Sequence, residues 1–535
     1  MTLDRTEKLE AVLSQLHRND APGLVASVQQ HGKTLLRRGY GMASLDSGLI
    51  NTPSTKMRIG STSKHFASAL ALLLRDEGLL SIDEPVSRWL PELPATQGIR
   101  TLRQFMNHTG GTRDYLDLSL LSNGMTVVPS EGAFEYQCRQ HEENFKPGEQ
   151  LMYNNGGYRM LSKVLERVLG IPLAQGLRER LFEPLSMNDT FLWCTDLDPL
   201  LGSATSHIAK AEGGFSKGIF PSVILAEGGI ASTLDDMQRW LSHLITPRIW
   251  PQRLSHELMA PTELNNGYLH PYGFGLIRET WRGVQIFHHA GGVVGGTCQM
   301  IAVPDHGMQI VVMSNRSDIT AVEIAQQLLV VMLEDKLEPA EIPVSADFAD
   351  ALCGDYHCAL NGRHFAIAKH QDTLVLRSFG LPLPLTQSTS EVLRVNLLSV
   401  IALTVELVRD SDDRVIAIDV IEQGRRYRCD RVESDRSDRR AVERFAGNWH
   451  SGELGGEVVI GEGRPESMRI AGLYGRSAYR LEPLLEDTCL MVSEDPALPL
   501  HGTLRLVTGK DGEHELLLDT ARTRQLRFTR DRAHG

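Results

Sequence analysis

Helical periodicity runs through this chain only as far as Leu333, and beyond it the sequence turns to short alternating segments. The fold must therefore join two unlike architectures. In the first part, residues 22–60 alternate apolar and polar with Gly32-Lys33 as the expected hairpin turn, which predicts antiparallel strands. From Thr62 the apolar residues Phe66, Leu70, Leu73 and Leu74 fall at helical spacing and stop at Gly78, so a buried helix follows the strands. Further helices are expected over 158–169, 174–182, 234–245 and 322–334, and strands over 283–287, 297–303 and 308–314. This pattern predicts an α+β domain over residues 1–334, its antiparallel sheet assembled from both ends of the segment.

A Pro- and acid-containing stretch, 335–347, has no period and reads as a linker. The segments DTLVLRSF, RVIAIDVIEQ and HGTLRLVTG, separated by Gly, Asp and Ser clusters, then predict small antiparallel β-barrels. A second charged linker over 431–441 divides them into residues 348–430 and 442–535. The two halves open alike, with Gly354-Asp355-Tyr356-His357-Cys358 and Gly447-Asn448-Trp449-His450-Ser451, which reads as a duplication.

Composition narrows the function classes. A hydrophobic fraction of 41% and a charged fraction of 23% over 535 residues supply several cores and exclude disordered and fibrous classes. Lys plus Arg total 55 against 67 Asp plus Glu, and the net charge of −12 repels phosphate backbones and anionic lipid, so neither nucleic acid nor a membrane is an expected partner. Apolar runs such as Leu328 to Leu333 fall short of the about 18 residues a spanning helix needs. The charged N-terminal stretch reads as a short amphipathic helix rather than a secretory signal, and a cytoplasmic location is expected. The 7 cysteines are scattered without metal-type spacing and are expected to be reduced, with Cys353 and Cys358 as candidate neighbours. No H-E-x-x-H or C-x-x-C motif is present, so neither metal nor organic cofactor is expected.

Chemistry concentrates at three places. Ser61-Thr62-Ser63-Lys64 is the only S-x-x-K, set where strand text gives way to helix. One helical turn brings Lys64 onto the face of Ser61, burial would lower the lysine pKa, and the helix start offers free N–H groups to an oxyanion. Taken singly, the motif reads more readily as an ordinary N-cap with a surface lysine, since about one such match is expected by chance in a chain of this size. Residues 145–158 place Tyr153 and Asn155 in a Gly- and Pro-rich loop ahead of a helix, where a hydroxyl can relay protons and an amide can hold a substrate. His289-Ala290-Gly291-Gly292 would end or edge a strand, its glycines allowing close backbone approach with the Gly292 N–H free.

Taken in order, Ser61-x-x-Lys64, Tyr153-Asn154-Asn155 and His289-Ala290-Gly291 resemble the three motifs of the penicillin-recognising serine hydrolases, the class C β-lactamase and D-alanyl-D-alanine-peptidase group. Asn107-His108-Thr109-Gly110-Gly111, Phe145-x-Pro147-Gly148 and Gly228-Gly229-Ile230-Ala231-Ser232-Thr233 look like the same family. Such a domain followed by two β-domains is similar to the family's D-aminopeptidases. The resemblance implies Ser61 as nucleophile, Lys64 as base, Tyr153 as proton relay, Asn155, Gly291 and Gly292 as substrate contacts, and His289 on the leaving-group side. It further implies that a loop of the last domain, within Gly472 to Tyr479 and including Tyr474, Gly475 and Arg476, reaches towards the active site. A homodimer acting without cofactor on small peptides, amides or esters with an N-terminal D-residue is the implied enzyme. Relatives with penicillinase or carboxypeptidase activity usually carry Lys-Thr-Gly where His289 stands, and a neutral imidazole attracts a carboxylate less. An esterase or general amidase on the same scaffold is the alternative, with β-lactamase or D-Ala-D-Ala carboxypeptidase less favoured.

Overall fold

The computed structural model describes residues 4–530 apart from 371–372, 396, 434–435, 437, 499 and 510–511. Asp372 of the expected DTLVLRSF segment and residues 434, 435 and 437 of the expected second linker thus lie outside the described residues.

Alternation in the first part produces a six-stranded antiparallel sheet in the order Ile277–Trp281, Val284–Val293, Gly296–Val303, Met308–Ser314, Leu24–Gln30, Lys33–Tyr40. Its strands come from both ends of the segment, and period-two patterning sorts their side chains to two faces. Val25, Met300, Val311 and Met313 face a core shared with the helices Lys64–Asp76 and Leu234–Ile245. Leu24, Val28, Ile301, Ile310 and Val312 face the helices Arg5–Ser14 and Ala321–Leu333. The first hairpin turns on His31 and Gly32, at φ 49° and 76°, and Lys33 opens the second strand. A two-residue turn with both φ positive favours glycine second, which moves the turn one residue from its expected place.

Two other elements differ from expectation. The strand foreseen over 283–287 continues to Val293, because its hairpin partner Gly296–Val303 holds the whole HHAGGV run. The helix foreseen over 174–182 is a short α-helix, Leu173–Leu177, running into a π turn at Arg178–Phe182.

The second part forms two eight-stranded antiparallel barrels. One runs from Gly354–His357 to Arg425–Val432 and closes where Leu381–Thr389 pairs with Val392–Val395. Ile342–Pro343, in the stretch expected to be a linker, adds a short strand beside Leu381–Thr389. The other barrel runs from Gly447–Ser451 to Leu526–Arg530. Both open in the same way: after a short helix a buried aromatic donates to the carbonyl four residues earlier, Tyr356 to Leu352 at 2.7 Å and Trp449 to Phe445 at 3.0 Å. This shared device supports the duplication. All seven cysteines are free thiols. The neighbour of Cys358 is Cys429 rather than Cys353, because the register pairs His357 with Asp430 and so sets 358 opposite 429. No helix among the described residues is long and apolar enough to cross a membrane.

Candidate active site

Ser61 sits in a tight 3-10 turn, Gly60–Ser63, that feeds directly into the helix Lys64–Asp76. The turn presses against the edge strand Val284–Val293, which loses its outer neighbour after His288, where pairing with Ile277–Trp281 ends. Two glycines make that approach possible. A Cβ on Gly291 would lie 1.8 Å from the Ile59 carbonyl oxygen, and one on Gly60 would lie 2.6 Å from the Gly292 nitrogen. In this hairpin Val293 pairs with Gly296, so ladder alternation turns the Gly292 N–H away from its partner strand and towards the Ser61 turn. The Ser61 N–H, at a helix start, likewise has no helical acceptor. The two together can bind a developing oxyanion.

Lys64 is fully buried and donates to three acceptors: Ser61 Oγ at 3.0 Å, Asn155 Oδ1 at 2.9 Å and the Glu227 carbonyl at 2.6 Å. Burial, reinforced by the positive charge of Arg522, pushes the ammonium down to about 7, against the opposing pull of Glu227 and Asp114. At neutral pH a sizeable fraction is therefore an amine able to take the Ser61 proton. Tyr153 stacks its ring beneath the ammonium, 4.7 Å from centroid to Nζ. Its hydroxyl faces Ser61 without a hydrogen bond of good geometry to any described residue, and burial raises its pKa, so it stays a proton-carrying phenol.

His289 heads a chain of neutral groups. The Asn154 N–H donates to His108 Nδ1 at 3.1 Å, which leaves the His108 Nε2–H to face Tyr272 Oη at 3.0 Å. Tyr272 in turn lies 3.2 Å from His289 Nε2, and His289 Nδ1–H reaches the Ala290 carbonyl at 2.5 Å. Burial holds both imidazoles well below their usual pKa. His289 is held uncharged, as expected of an imidazole at neutral pH, and both its nitrogens are occupied.

The other expected contacts divide. Ser61, Tyr153, His289, Gly291 and Gly292 line one cavity of about 760 Å³ that also takes in residues of both barrels. Asn155 is buried with both ends of its amide used, one on Lys64 and the other donating to Asp114 Oδ2 at 2.9 Å, so it positions the lysine instead of facing the cavity. Tyr474, Gly475 and Arg476 are not brought to the site. Their hairpin packs on the helix Tyr115–Asn123, with the Tyr474 N–H donating to Asn123 Oδ1 at 2.9 Å and its hydroxyl bonding Glu135. Arg476 lines a separate groove with Asn123 and Thr126.

The element of the last barrel that does enter is the 520–525 turn between His514–Thr520 and Leu526–Arg530. Asp117 accepts from the Thr520 and Thr523 hydroxyls at 2.6 Å each. Asn144 holds the Arg522 carbonyl and the Arg524 N–H at 2.8 Å each, while Arg113 donates to the carbonyls of Arg524 and Gln525. From this turn Arg522 lies with Cζ 5.3 Å from the Tyr153 ring centre and Nη1 3.2 Å from Asp114 Oδ2. The first barrel contributes Gln423, whose amide exchanges two hydrogen bonds with the Leu151 backbone at 2.6 and 2.8 Å, just ahead of Tyr153. Sequence reasoning missed Asp114, Glu227, Tyr272 and Arg522. Of these only Glu227 carried a signal, its position directly before the Gly228-Gly229 phrase.

The sequence matches the family described as Beta-lactamase over residues 9–330. The D-aminopeptidase of Brucella canis is 30% identical over 313 residues, 57% of this chain and 59% of that protein. The D-aminopeptidase of Gluconobacter oxydans is 28% identical over 356 residues, 65% of this chain and 66% of that one. The chain thus spans a little under two thirds of the length of these curated relatives. Among solved structures, the octameric penicillin-binding protein homologue from Pyrococcus abyssi superposes with a TM-score of 0.58 at 23% identity, covering 80% of this chain and all of its own. The fold is that of the penicillin-recognising proteins, and the chain belongs to the beta-lactamase family.

Proposed function

We propose that the protein is a serine hydrolase that works through an acyl-enzyme on Ser61 and releases N-terminal D-residues from small peptides, amides or esters. The observation that carries the mechanism is a wholly buried lysine with Nζ 3.0 Å from Ser61 Oγ and a pKa near 7. Neutral Lys64 takes the Ser61 proton as Oγ attacks the substrate carbonyl, and the N–H groups of Ser61 and Gly292 receive the oxyanion. The Tyr153 hydroxyl passes a proton to the departing amine as the carbonyl re-forms on Ser61. Water then attacks the ester, returning the acid and a free serine. No step calls for a metal or organic cofactor.

The preference for D-residues is supported by the relatives in Brucella and Gluconobacter. Neutral His289 argues against a penicillinase, since no cation stands on that strand segment to draw the carboxylate. Release of p-nitroaniline from D-alanine p-nitroanilide, but not from its L-enantiomer or N-acetylated form, is the expected result. It should vanish in Ser61→Ala with an unchanged unfolding temperature, because Ser61 contributes chemistry rather than core packing. Nitrocefin or simple-ester turnover without anilide cleavage would overturn the aminopeptidase reading. We also propose a homodimer, to be tested by light scattering, for which a monomer or a larger ring is the contrary outcome.

A further inference from the structure

The cavity next to Ser61 carries more positive charge than its own walls neutralise. Four arginines line it, Arg363, Arg425, Arg522 and Arg524, against two carboxylates, Glu422 and Asp519. Both carboxylates are already engaged. Glu422 pairs with Arg363 at 2.5 Å, and Asp519 receives Arg505 at 3.1 Å and the Gln525 N–H at 3.0 Å. Arg524 donates to the Thr520 carbonyl and lies with Cζ 5.0 Å from the Phe379 ring centre, yet no carboxylate among the described residues is within ion-pairing distance of it. Arg522 has Asp114 at 3.2 Å, but Asp114 also accepts from Asn155 and the Leu116 N–H, and the rest of the guanidinium fork is left for another acceptor. An enclosed cation without a partner is costly, and a bound anion relieves that cost.

Building on the serine-hydrolase reading, we propose that the 520–525 turn forms an anion subsite in which Arg522 and Arg524 receive a carboxylate of the substrate. The turn is held in place by Asp117, Asn144 and Arg113 through its threonine hydroxyls and backbone, so both guanidinium groups are set before substrate arrives. These anchors do not use the two arginine side chains, so replacing Arg522 leaves the turn its supports, while replacing Arg524 gives up only its bond to the Thr520 carbonyl. Arg522 also lies against the Tyr153 ring, which puts the subsite within one short substrate's length of Ser61. Positive charge thus enters the cavity from the last barrel, on an element other than the His289 strand. The carboxylate can be the C-terminus of a short peptide or the side chain of an acidic first residue.

Two substrate pairs separate these sources at fixed ionic strength and pH 8: D-alanylglycine against D-alanylglycinamide, and D-glutamate p-nitroanilide against D-glutamine p-nitroanilide. In the full chain the charged member of at least one pair should show a kcat/KM higher by roughly tenfold or more, the size of a charge-assisted hydrogen bond. The first pair assigns the subsite to a C-terminal carboxylate and the second to a side chain. In Arg522→Gln and Arg524→Gln the ratio should fall towards one, with Arg522→Lys in between. Ratios near one for both pairs in the parent protein overturn the proposal. Should none of these substrates turn over, the aminopeptidase reading fails, and the subsite is then judged by labelling of Ser61 with a fluorophosphonate. Glutarate should slow labelling more than glutaramide does in the parent but not in Arg522→Gln, and equal effects of the two competitors overturn it.

Discussion

At the scale of single residues, the proposed mechanism depends on whether Lys64 is neutral. Its pKa is lowered to about 7 by burial first and by Arg522 second, so the reactive amine is scarce below pH 6 and dominant above pH 8. The kcat/KM for D-alanine p-nitroanilide is therefore expected to rise with pH through about 7. Arg522→Gln removes one of the two causes that depress the lysine, so the same limb should move to higher pH; a limb that stays put, or moves lower, would contradict the coupling. Ser61, Lys64, Tyr153 and His289 were legible in the sequence because each motif is local and the three occur in a known order. The groups that tune them were not. Asp114 reaches Asn155 across 41 residues and Arg522 across 408, and no periodicity marks such partners. Asn155 shows the reverse error: its motif was plain, but only the packing reveals that Lys64 and Asp114 occupy its amide.

At the scale of elements, the site is the seam between a serine turn and the free edge of a strand. The Ala-Gly-Gly run was readable as a place of close backbone approach, although the strand itself was expected to stop at 287. Adjacent histidines and glycines carry little strand propensity, and it is the hairpin partner that holds them. Gly291→Ala would drive a methyl group into the Ile59 carbonyl and push the Gly292 N–H from the oxyanion position. We expect kcat/KM to fall by about 10²-fold or more, the usual loss for one oxyanion donor, together with a lower melting temperature. Full activity in a folded Gly291→Ala would mean that the seam does not form the oxyanion site. The loop entering from the last barrel was foreseen in kind but placed at the wrong turn. A resemblance says that some barrel loop reaches inwards. Which loop does so is decided by Asp117 meeting Thr520 and Thr523, a contact the sequence does not display.

At the scale of the whole molecule, the change in periodicity at Leu333 was enough to foresee an α+β part followed by two barrels, because core alternation and helical spacing are both local. How the parts lock together was not foreseeable. Tyr115, Leu118, Leu121 and Tyr136 of the first part share one apolar core with Trp449, Tyr479 and Phe528 of the last barrel. Each such side chain contributes about 1.5–3 kcal/mol when fully buried, so uncovering four of them forfeits on the order of 6–12 kcal/mol, comparable with the stability of an ordinary domain. Removing residues 442–535 is accordingly expected to give an unstable, aggregating protein instead of an opened enzyme, as thermal unfolding and light scattering would show. A monodisperse truncation with the parent melting temperature would contradict the shared core. The most direct test of the central claim is the rate at which a fluorophosphonate labels the full chain between pH 5 and 9, with the modified peptide located by mass spectrometry. Labelling confined to Ser61, with a rate that climbs through about pH 7, is the predicted result. Labelling at another residue, or a rate indifferent to pH across that range, would contradict a Ser61 nucleophile activated by neutral Lys64.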